Sequence, residues 1–243
     1  PRISHRYYAM KAKWLGLEKM EPYDRNAPLP DADEAKIPWT EAKSRVLDAY
    51  AGFTPSMAEI AGDFFDKGWI DSPVIPGKDA GAFAHPCVPS AHPYVLVNYQ
   101  GKTRDVMTLA HELGHGVHQV LAAKQGYFNG STPLTLAETA SVFGETVTFE
   151  RLLDQTDDPG ERFALLAQQV EGNIATVFRQ VAMNRFENAV HTHRRDVGEL
   201  SVDDFAEHWV GQGATIVGGC CETTPAHIAA IAARLSAKGY VLT

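Results

Sequence analysis

The sequence has few cysteines and no long apolar run. Its three cysteines, Cys87 and the adjacent pair Cys220 and Cys221, are too few for a disulfide framework, which favours a reducing compartment and predicts a cytoplasmic protein. No stretch approaches the roughly 18 uninterrupted apolar residues of a membrane-spanning helix. The opening PRISHRYYAMKAKWLG is too charged and aromatic for a signal peptide. We therefore expect no membrane partner.

Basic charge is also scarce. The 243 residues include 22 basic and 30 acidic side chains, which gives a formal net charge of −8. A protein whose main partner is a phosphate backbone needs an excess of basic residues, so we expect no nucleic-acid partner. Hydrophobic residues make up 44% of the chain, which is ample for a packed core. Oligomeric state has no signature in the sequence.

Apolar residues recur at helical spacing over most of the chain. The pattern predicts helices over 1–20, 40–68, 105–123, 135–153 and 161–195, a further helix that opens at Ser201, and another from Pro225 to about Ala237. The run YVLVNYQG, which ends in a turn at Gly101, is the one stretch typical of a strand. The sequence therefore predicts a mainly α-helical fold with one short strand.

The helix predicted over 105–123 contains the run HELGH. His111 and His115 are four residues apart, so both imidazoles project from one side of the helix and can reach the same ion. Glu112 completes the HExxH arrangement, in which the histidines bind zinc and the glutamate acts on water whose pKa the zinc lowers to about 7. The motif is short enough to occur by chance, so a histidine-rich core helix is the alternative.

Two glycines in the same helix favour the metal-site interpretation. Gly114 and Gly116 each cost about 1 kcal/mol relative to alanine in a helix interior, so a helix selected only for packing would rarely hold both. Close approach by another backbone would explain them. His118 lies three positions beyond His115 on a neighbouring face, which favours a supporting or structural role over ligation.

Two imidazoles do not complete a zinc site. A catalytic zinc ion normally has three protein ligands and one open position. The next predicted helix offers Glu138 and Glu145, which are seven residues apart and therefore lie on one face. A solvated acidic stripe is the alternative, although the small residues around both glutamates favour a buried or lined setting. Spacing alone leaves the choice between the two open.

The run from HPCVPSAHPYVLVNYQG through HELGH to LAETASVFGE resembles the active-site region of oligoendopeptidase F, a zinc metallopeptidase related to thimet oligopeptidase. The resemblance covers residues 1 to about 210 and implies a helical zincin-type catalytic core with a deep channel for short peptides. It also implies that Glu138, in the ETAS motif, is the third zinc ligand and that Glu145 is a supporting acid. The strand in HPYVLVNYQG would then be an edge that pairs with an extended peptide backbone.

Residues 211–243 differ from that pattern. We do not find the family's HFxxxPxYxY segment, which stabilises the oxyanion, so we expect a truncated core with impaired activity. The run GATIVGGCCETTPAHIAAIAARLSAKGYVLT instead resembles the end of a homocysteine S-methyltransferase. There the paired cysteines, here Cys220 and Cys221, bind zinc. Two adjacent cysteines make an incomplete site, and Cys87 belongs to the peptidase-like part.

Taken with the resemblance, the sequence predicts zinc-dependent hydrolysis of peptide bonds in oligopeptides. Zinc would lie on His111, His115 and Glu138. Glu112 would take a proton from the attacking water and pass it to the leaving amine. The alternatives are a catalytically inactive zinc- or peptide-binding module and, less favoured, a relic of a zinc thiol methyltransferase.

Overall fold

The computed structural model describes residues 2–29, 36–199, 201–219 and 223–241. The fold is mainly helical, as the sequence predicts. The helices are α1 (Arg2–Trp14), α2 (Trp39–Phe53), α3 (Pro55–Asp66), α4 (Thr103–Ala122), α5 (Leu134–Gln155), α6 (Pro159–Ile174), α7 (Gln180–Asp196), α8 (Val202–Gly211) and α9 (Pro225–Ala237). The strands are β1 (Ile70–Asp71), β2 (Phe83–His85) and β3 (Tyr94–Leu96). In the described ranges, no helix combines the length and the apolar character that crossing a membrane requires.

Tertiary contacts divide the chain into two compact units, Pro1–Gln169 and Val170–Thr243. The first contains α1 to α5 and the strands, and the second contains α7 to α9. In the second unit, Ala206 on α8 packs with Ile231 and Leu235 on α9 to form a small apolar cluster. This division describes packing. The domain boundary expected near residue 210 comes from family resemblance, and it stays a prediction.

The core of the first unit forms where the apolar faces of α2, α3 and α4 meet strand β3. Tyr50 on α2, Phe64 on α3 and Leu109 and Leu113 on α4 are fully buried there. Burial of Leu109 and Leu113 fixes the rotation of α4 about its axis. The opposite side of α4, which carries the two histidines of HELGH, therefore points away from the core.

The strands form one small sheet in the order β1-β3-β2, in which β1 is parallel to β3 and β2 is antiparallel to it. β3 is the predicted strand, whereas β1 and β2 have two and three residues and are too short to show an alternating pattern. Because β3 is paired on both sides, the expectation that it provides a peptide-binding edge is wrong. In the described sheet, β1 and β2 are the edges.

The region predicted as one helix over 40–68 is two helices. Thr54 adopts an extended conformation and separates α2 from α3. The reason is Pro55, which disfavours the helical conformation of the residue before it and opens the next helix at its first position. Farther along, α6 and α7 join through a π-helical turn, Ala175–Arg179, and together correspond to the long helix predicted over 161–195.

Candidate metal centre

Helices α4 and α5 approach each other at backbone contact distance. A Cβ atom added to Gly114 of α4 would lie 2.5 Å from the carbonyl oxygen of Ala140 on α5. Reciprocally, a Cβ atom added to Gly144 of α5 would lie 3.0 Å from the carbonyl oxygen of Ala110 on α4. The backbone approach predicted at Gly114 is therefore observed, and a second glycine on α5 completes it.

Gly116 is a glycine for another reason. A Cβ atom at this position would lie 2.6 Å from Cζ of Phe64, whose ring packs directly on the α4 backbone. The neighbour is therefore a side chain from α3 and not a second backbone, so the prediction of backbone approach is wrong at Gly116.

Close packing of α4 and α5 brings one glutamate up to both histidines. Oε2 of Glu138 lies 3.1 Å from Nε2 of His111 and 3.4 Å from Nε2 of His115. The two imidazole rings stand 5.1 Å apart, centre to centre, at an angle of 82°. Within the described parts of the chain, these three side chains form the group that can hold a metal ion, with ligand atoms within 4.8 Å of one another. His118 does not belong to this group.

The donor set fits zinc. Nitrogen and oxygen ligands lie about 2.0–2.2 Å from a tetrahedral zinc ion, so neighbouring ligand atoms are separated by roughly 3.3 Å. The separations of 3.1 and 3.4 Å between Glu138 and the two imidazoles match that value. Two imidazoles and one carboxylate leave the fourth position open, as catalytic zinc sites do.

Glu145 occupies a different place from Glu138. Its Oε2 atom lies 3.2 Å from Nδ1 of His111, on the side of the ring opposite Nε2. A carboxylate at this position favours a proton on Nδ1 and leaves the lone pair on Nε2, which faces Glu138. The geometry therefore suits Glu145 as the acid that orients His111.

Ser141 holds Glu138 in the same way. Its hydroxyl donates a hydrogen bond of 2.7 Å to Oε2 of Glu138, and the side chain is fully buried. Ser141 was not among the site residues predicted from the sequence. The available signal was its spacing, since Ser141 lies three residues after Glu138 and thus one helical turn along the same face.

Glu112 is almost fully buried beside the histidines, with 6% of its surface exposed. Burial raises the pKa of its carboxyl to about 7, to which the charge of Glu138 adds, while His111 acts in the opposite direction. A carboxyl that titrates near neutral pH can both accept and release a proton under physiological conditions, which is the property a general base needs.

The pKa values of the two histidines are shifted in opposite directions. Burial lowers the pKa of His115, and the nearby charges of His111 and His118 lower it further. Burial also acts to lower the pKa of His111, but the hydrogen bond that its ring donates to Glu145 and the charges of the surrounding carboxylates outweigh burial and raise that pKa. The carboxylates of Glu112, Glu138 and Glu145 surround the imidazole of His111 and favour its charged form.

Strand β2 runs beside the helix that carries the histidines. The side-chain amide of Gln119 on α4 donates a hydrogen bond of 3.3 Å to the carbonyl oxygen of Ala84 on β2. The sheet edge next to the candidate metal centre therefore belongs to β2. Cys87 follows this strand and lies beside His85, outside the metal cluster, while Cys220 and Cys221 lie outside the described residues.

Comparison with known proteins finds relatives that are named as oligopeptidases. The chain is 32% identical over 211 residues to the chromosomal oligoendopeptidase F of Lactococcus lactis subsp. cremoris, covering 86% of this chain and 35% of that protein. It is 31% identical over 222 residues to oligopeptidase PepF of Bacillus subtilis, covering 88% of this chain and 33% of that protein. The chain thus spans about a third of the length of these relatives.

Solved structures show the same fold. A putative peptidase from Chlamydophila abortus superposes with a TM-score of 0.67 at 24% identity, covering 100% of this chain and 40% of that one. A putative oligoendopeptidase F from Bacillus anthracis str. Ames gives a TM-score of 0.64 at 15% identity, covering 97% and 38%. The predicted mainly helical fold with a short strand is thereby confirmed.

The family match extends over nearly the whole chain. The sequence profile of peptidase family M3 matches residues 2–240 and so includes most of the segment over 211–243. The likeness of that segment to a homocysteine S-methyltransferase stays a prediction. On the extent of the profile match, the chain belongs to peptidase family M3.

Proposed function

We propose that this chain carries the catalytic centre of a zinc-dependent oligopeptidase, which hydrolyses peptide bonds in short peptides. The observation that carries the proposal is the convergence of His111, His115 and Glu138 around one point, with the buried carboxyl of Glu112 on the same helix turn. Family membership and the names of the relatives, which are oligopeptidases, support the substrate class.

In this proposal, His111, His115 and Glu138 hold the zinc ion. When bound, zinc supplies Lewis-acid polarisation of a peptide carbonyl and of a water molecule. Glu145 keeps His111 in the tautomer whose Nε2 is free to bind, and Ser141 keeps the carboxylate of Glu138 turned toward the imidazoles. His111 and Glu138 are thus oriented before metal binds.

Glu112 moves the proton. Its carboxylate accepts a proton from the water that attacks the scissile carbonyl, and it returns that proton to the amine nitrogen as the carbon–nitrogen bond breaks. The overall change is the addition of one water molecule across the peptide bond. Burial of Glu112 beside the histidines, with 6% of its surface exposed, keeps its carboxyl next to the proposed ligands.

Strand β2 gives the peptide a place to bind. Its outer edge is not used by β3, and its carbonyl at Ala84 is tied to the α4 helix through Gln119. An extended peptide that adds to this edge through main-chain hydrogen bonds, with the Ala84 carbonyl exchanging the Gln119 amide for a peptide N–H, would run beside the helix that carries His111 and His115. This role replaces the one expected for β3.

Metal content and peptide turnover test the proposal together. We expect one zinc per chain and slow cleavage of an internally quenched oligopeptide, because the oxyanion-stabilising segment is not found in the sequence. Glu112→Gln should retain zinc and lose cleavage, whereas Glu150→Gln, at an exposed position on α5, should retain both. Zinc binding without cleavage by the wild-type chain would favour the zinc- or peptide-binding alternative, and absence of zinc binding would contradict the proposal.

A further inference from the structure

Tyr50 reaches the α4–α5 contact from a third helix. It lies on α2 and is fully buried, and its hydroxyl donates a hydrogen bond of 2.5 Å to the carbonyl oxygen of Ala110 on α4. Burial raises the pKa of the phenol, so the hydroxyl remains a proton donor at all physiological pH values. A buried tyrosine needs a partner for its hydroxyl, and here that partner is a helix backbone.

The same hydroxyl also touches α5. A Cβ atom added to Gly144 would overlap the Tyr50 hydroxyl and would lie 3.0 Å from the Ala110 carbonyl oxygen. Three helices therefore meet at one point: a phenol from α2, a carbonyl from α4 and a glycine from α5. Only a glycine on α5 leaves room for the other two groups.

This point adjoins the candidate metal centre on both helices. Ala110 directly precedes His111, and Gly144 directly precedes Glu145. The bond between His111 Nδ1 and Glu145 Oε2 is thus one residue away from the three-helix contact on each side. A small shift of α4 relative to α5 at Ala110 and Gly144 would change that distance, because close-packed interiors transmit strain between neighbouring elements.

We infer that Tyr50 is a positioning residue for the metal centre: its hydrogen bond to the Ala110 carbonyl, packed on Gly144, sets the α4–α5 spacing that aligns His111 with Glu145. Tyr50 touches neither metal nor substrate and acts through the backbone that carries them. The inference rests on the proposed metal site.

The test compares two tyrosines that make the same kind of bond. Tyr99 also donates its hydroxyl to a distant backbone carbonyl, that of Ile37 at 2.8 Å, away from the α4–α5 contact. Zinc affinity is measured by competition with a chromophoric chelator, and the ligand field is read from the visible absorption spectrum of the cobalt-substituted protein. We expect Tyr50→Phe to weaken zinc binding about 10-fold and to change the cobalt spectrum, with Tyr99→Phe leaving both unchanged.

Several outcomes would overturn the inference. Unchanged zinc affinity and cobalt spectrum in Tyr50→Phe would do so, as would equal losses in both variants, which would indicate general destabilisation. Gly144→Ala provides a second route, because its methyl group displaces the Tyr50 hydroxyl; a folded Gly144→Ala protein with the wild-type cobalt spectrum also overturns it. Failure of the wild-type chain to bind zinc overturns the proposed function, and this inference with it.

Discussion

Oε2 of Glu138 accepts a hydrogen bond from the Ser141 hydroxyl at 2.7 Å and is the same atom that faces both imidazoles of the HELGH motif. The serine thereby limits rotation of a carboxylate whose side chain is otherwise 63% exposed. An exposed glutamate loses rotamer entropy when it binds a metal, and a partner that restricts it beforehand reduces that cost.

Ser141→Ala should therefore weaken zinc binding about 10-fold without removing a ligand. The matched control is Thr146→Ala, because the Thr146 hydroxyl donates to the carbonyl oxygen of Val142, one turn earlier in the same helix. Zinc affinity of the two variants is measured by chelator competition. Equal affinities in Ser141→Ala and wild type would mean that Glu138 needs no such support.

Replacement of either histidine of the motif should abolish zinc binding. With His111→Ala or His115→Ala, two protein ligands remain, and two ligands hold zinc weakly. His118→Ala is the control, because His118 lies on α4 outside the ligand group and should leave one zinc per chain. Full zinc occupancy in either of the first two variants, determined by metal analysis, would contradict the assignment.

The two glutamates of α5 should differ in their effects. Glu138→Gln removes a proposed ligand and should weaken zinc binding severely. Glu145→Gln removes the partner of His111 Nδ1 and should cost about 10–100-fold in affinity. Metal titration of both variants distinguishes the roles, and a greater loss from Glu145→Gln than from Glu138→Gln would show that they are reversed.

Glu112 should make the metal-free protein less stable as the pH rises. Its pKa is about 7 in the folded protein against 4.5 for an unperturbed glutamate carboxyl, so the folded state binds more protons between these pH values. The free energy of unfolding should therefore fall as the pH rises from about 4.5 to 7, by up to about 3 kcal/mol.

Glu112→Gln removes the cost of burying a charged carboxylate. The variant should therefore be more stable than wild type at pH 8, with a smaller difference at pH 5. Urea denaturation of the chelator-treated proteins at the two pH values measures the effect, and the exposed variant Glu150→Gln serves as control. A difference between Glu112→Gln and wild type that does not depend on pH would show that burial does not shift the titration of Glu112.

Glycines at the helix contact should respond to substitution differently from glycines elsewhere. Gly114→Ala places a methyl group 2.5 Å from the Ala140 carbonyl oxygen and should destabilise the protein by about 1–3 kcal/mol. Gly62→Ala on α3 meets no atom within 4 Å and should stabilise it by up to about 1 kcal/mol. Urea denaturation compares the two, and a stabilising Gly114→Ala would contradict the close contact.

Much of the site could be predicted from the sequence, because several of its residues lie close together on one helix. The placement of His111 and His115 on one side of a helix follows from a spacing of four residues, and the burial of Leu109 and Leu113 on the other side follows from the same period. The helical character of the chain follows from the same kind of pattern. Helical periodicity acts over a few residues, so no distant part of the chain is needed to read it.

Contacts between residues that are far apart in the sequence were determined only by the tertiary structure. Spacing places Glu138 and Glu145 on one face of α5, and only the packing of α5 on α4 turns the first toward both Nε2 atoms and the second toward Nδ1 of His111. The strands that pair with β3, and hence the position of β2 at the sheet edge, could not be predicted either, because strands of two and three residues show no alternating pattern. Tyr50 lies 60 residues from the carbonyl that it binds. Such contacts depend on how the faces of separate elements fit together, and the local pattern of a single element does not contain that information.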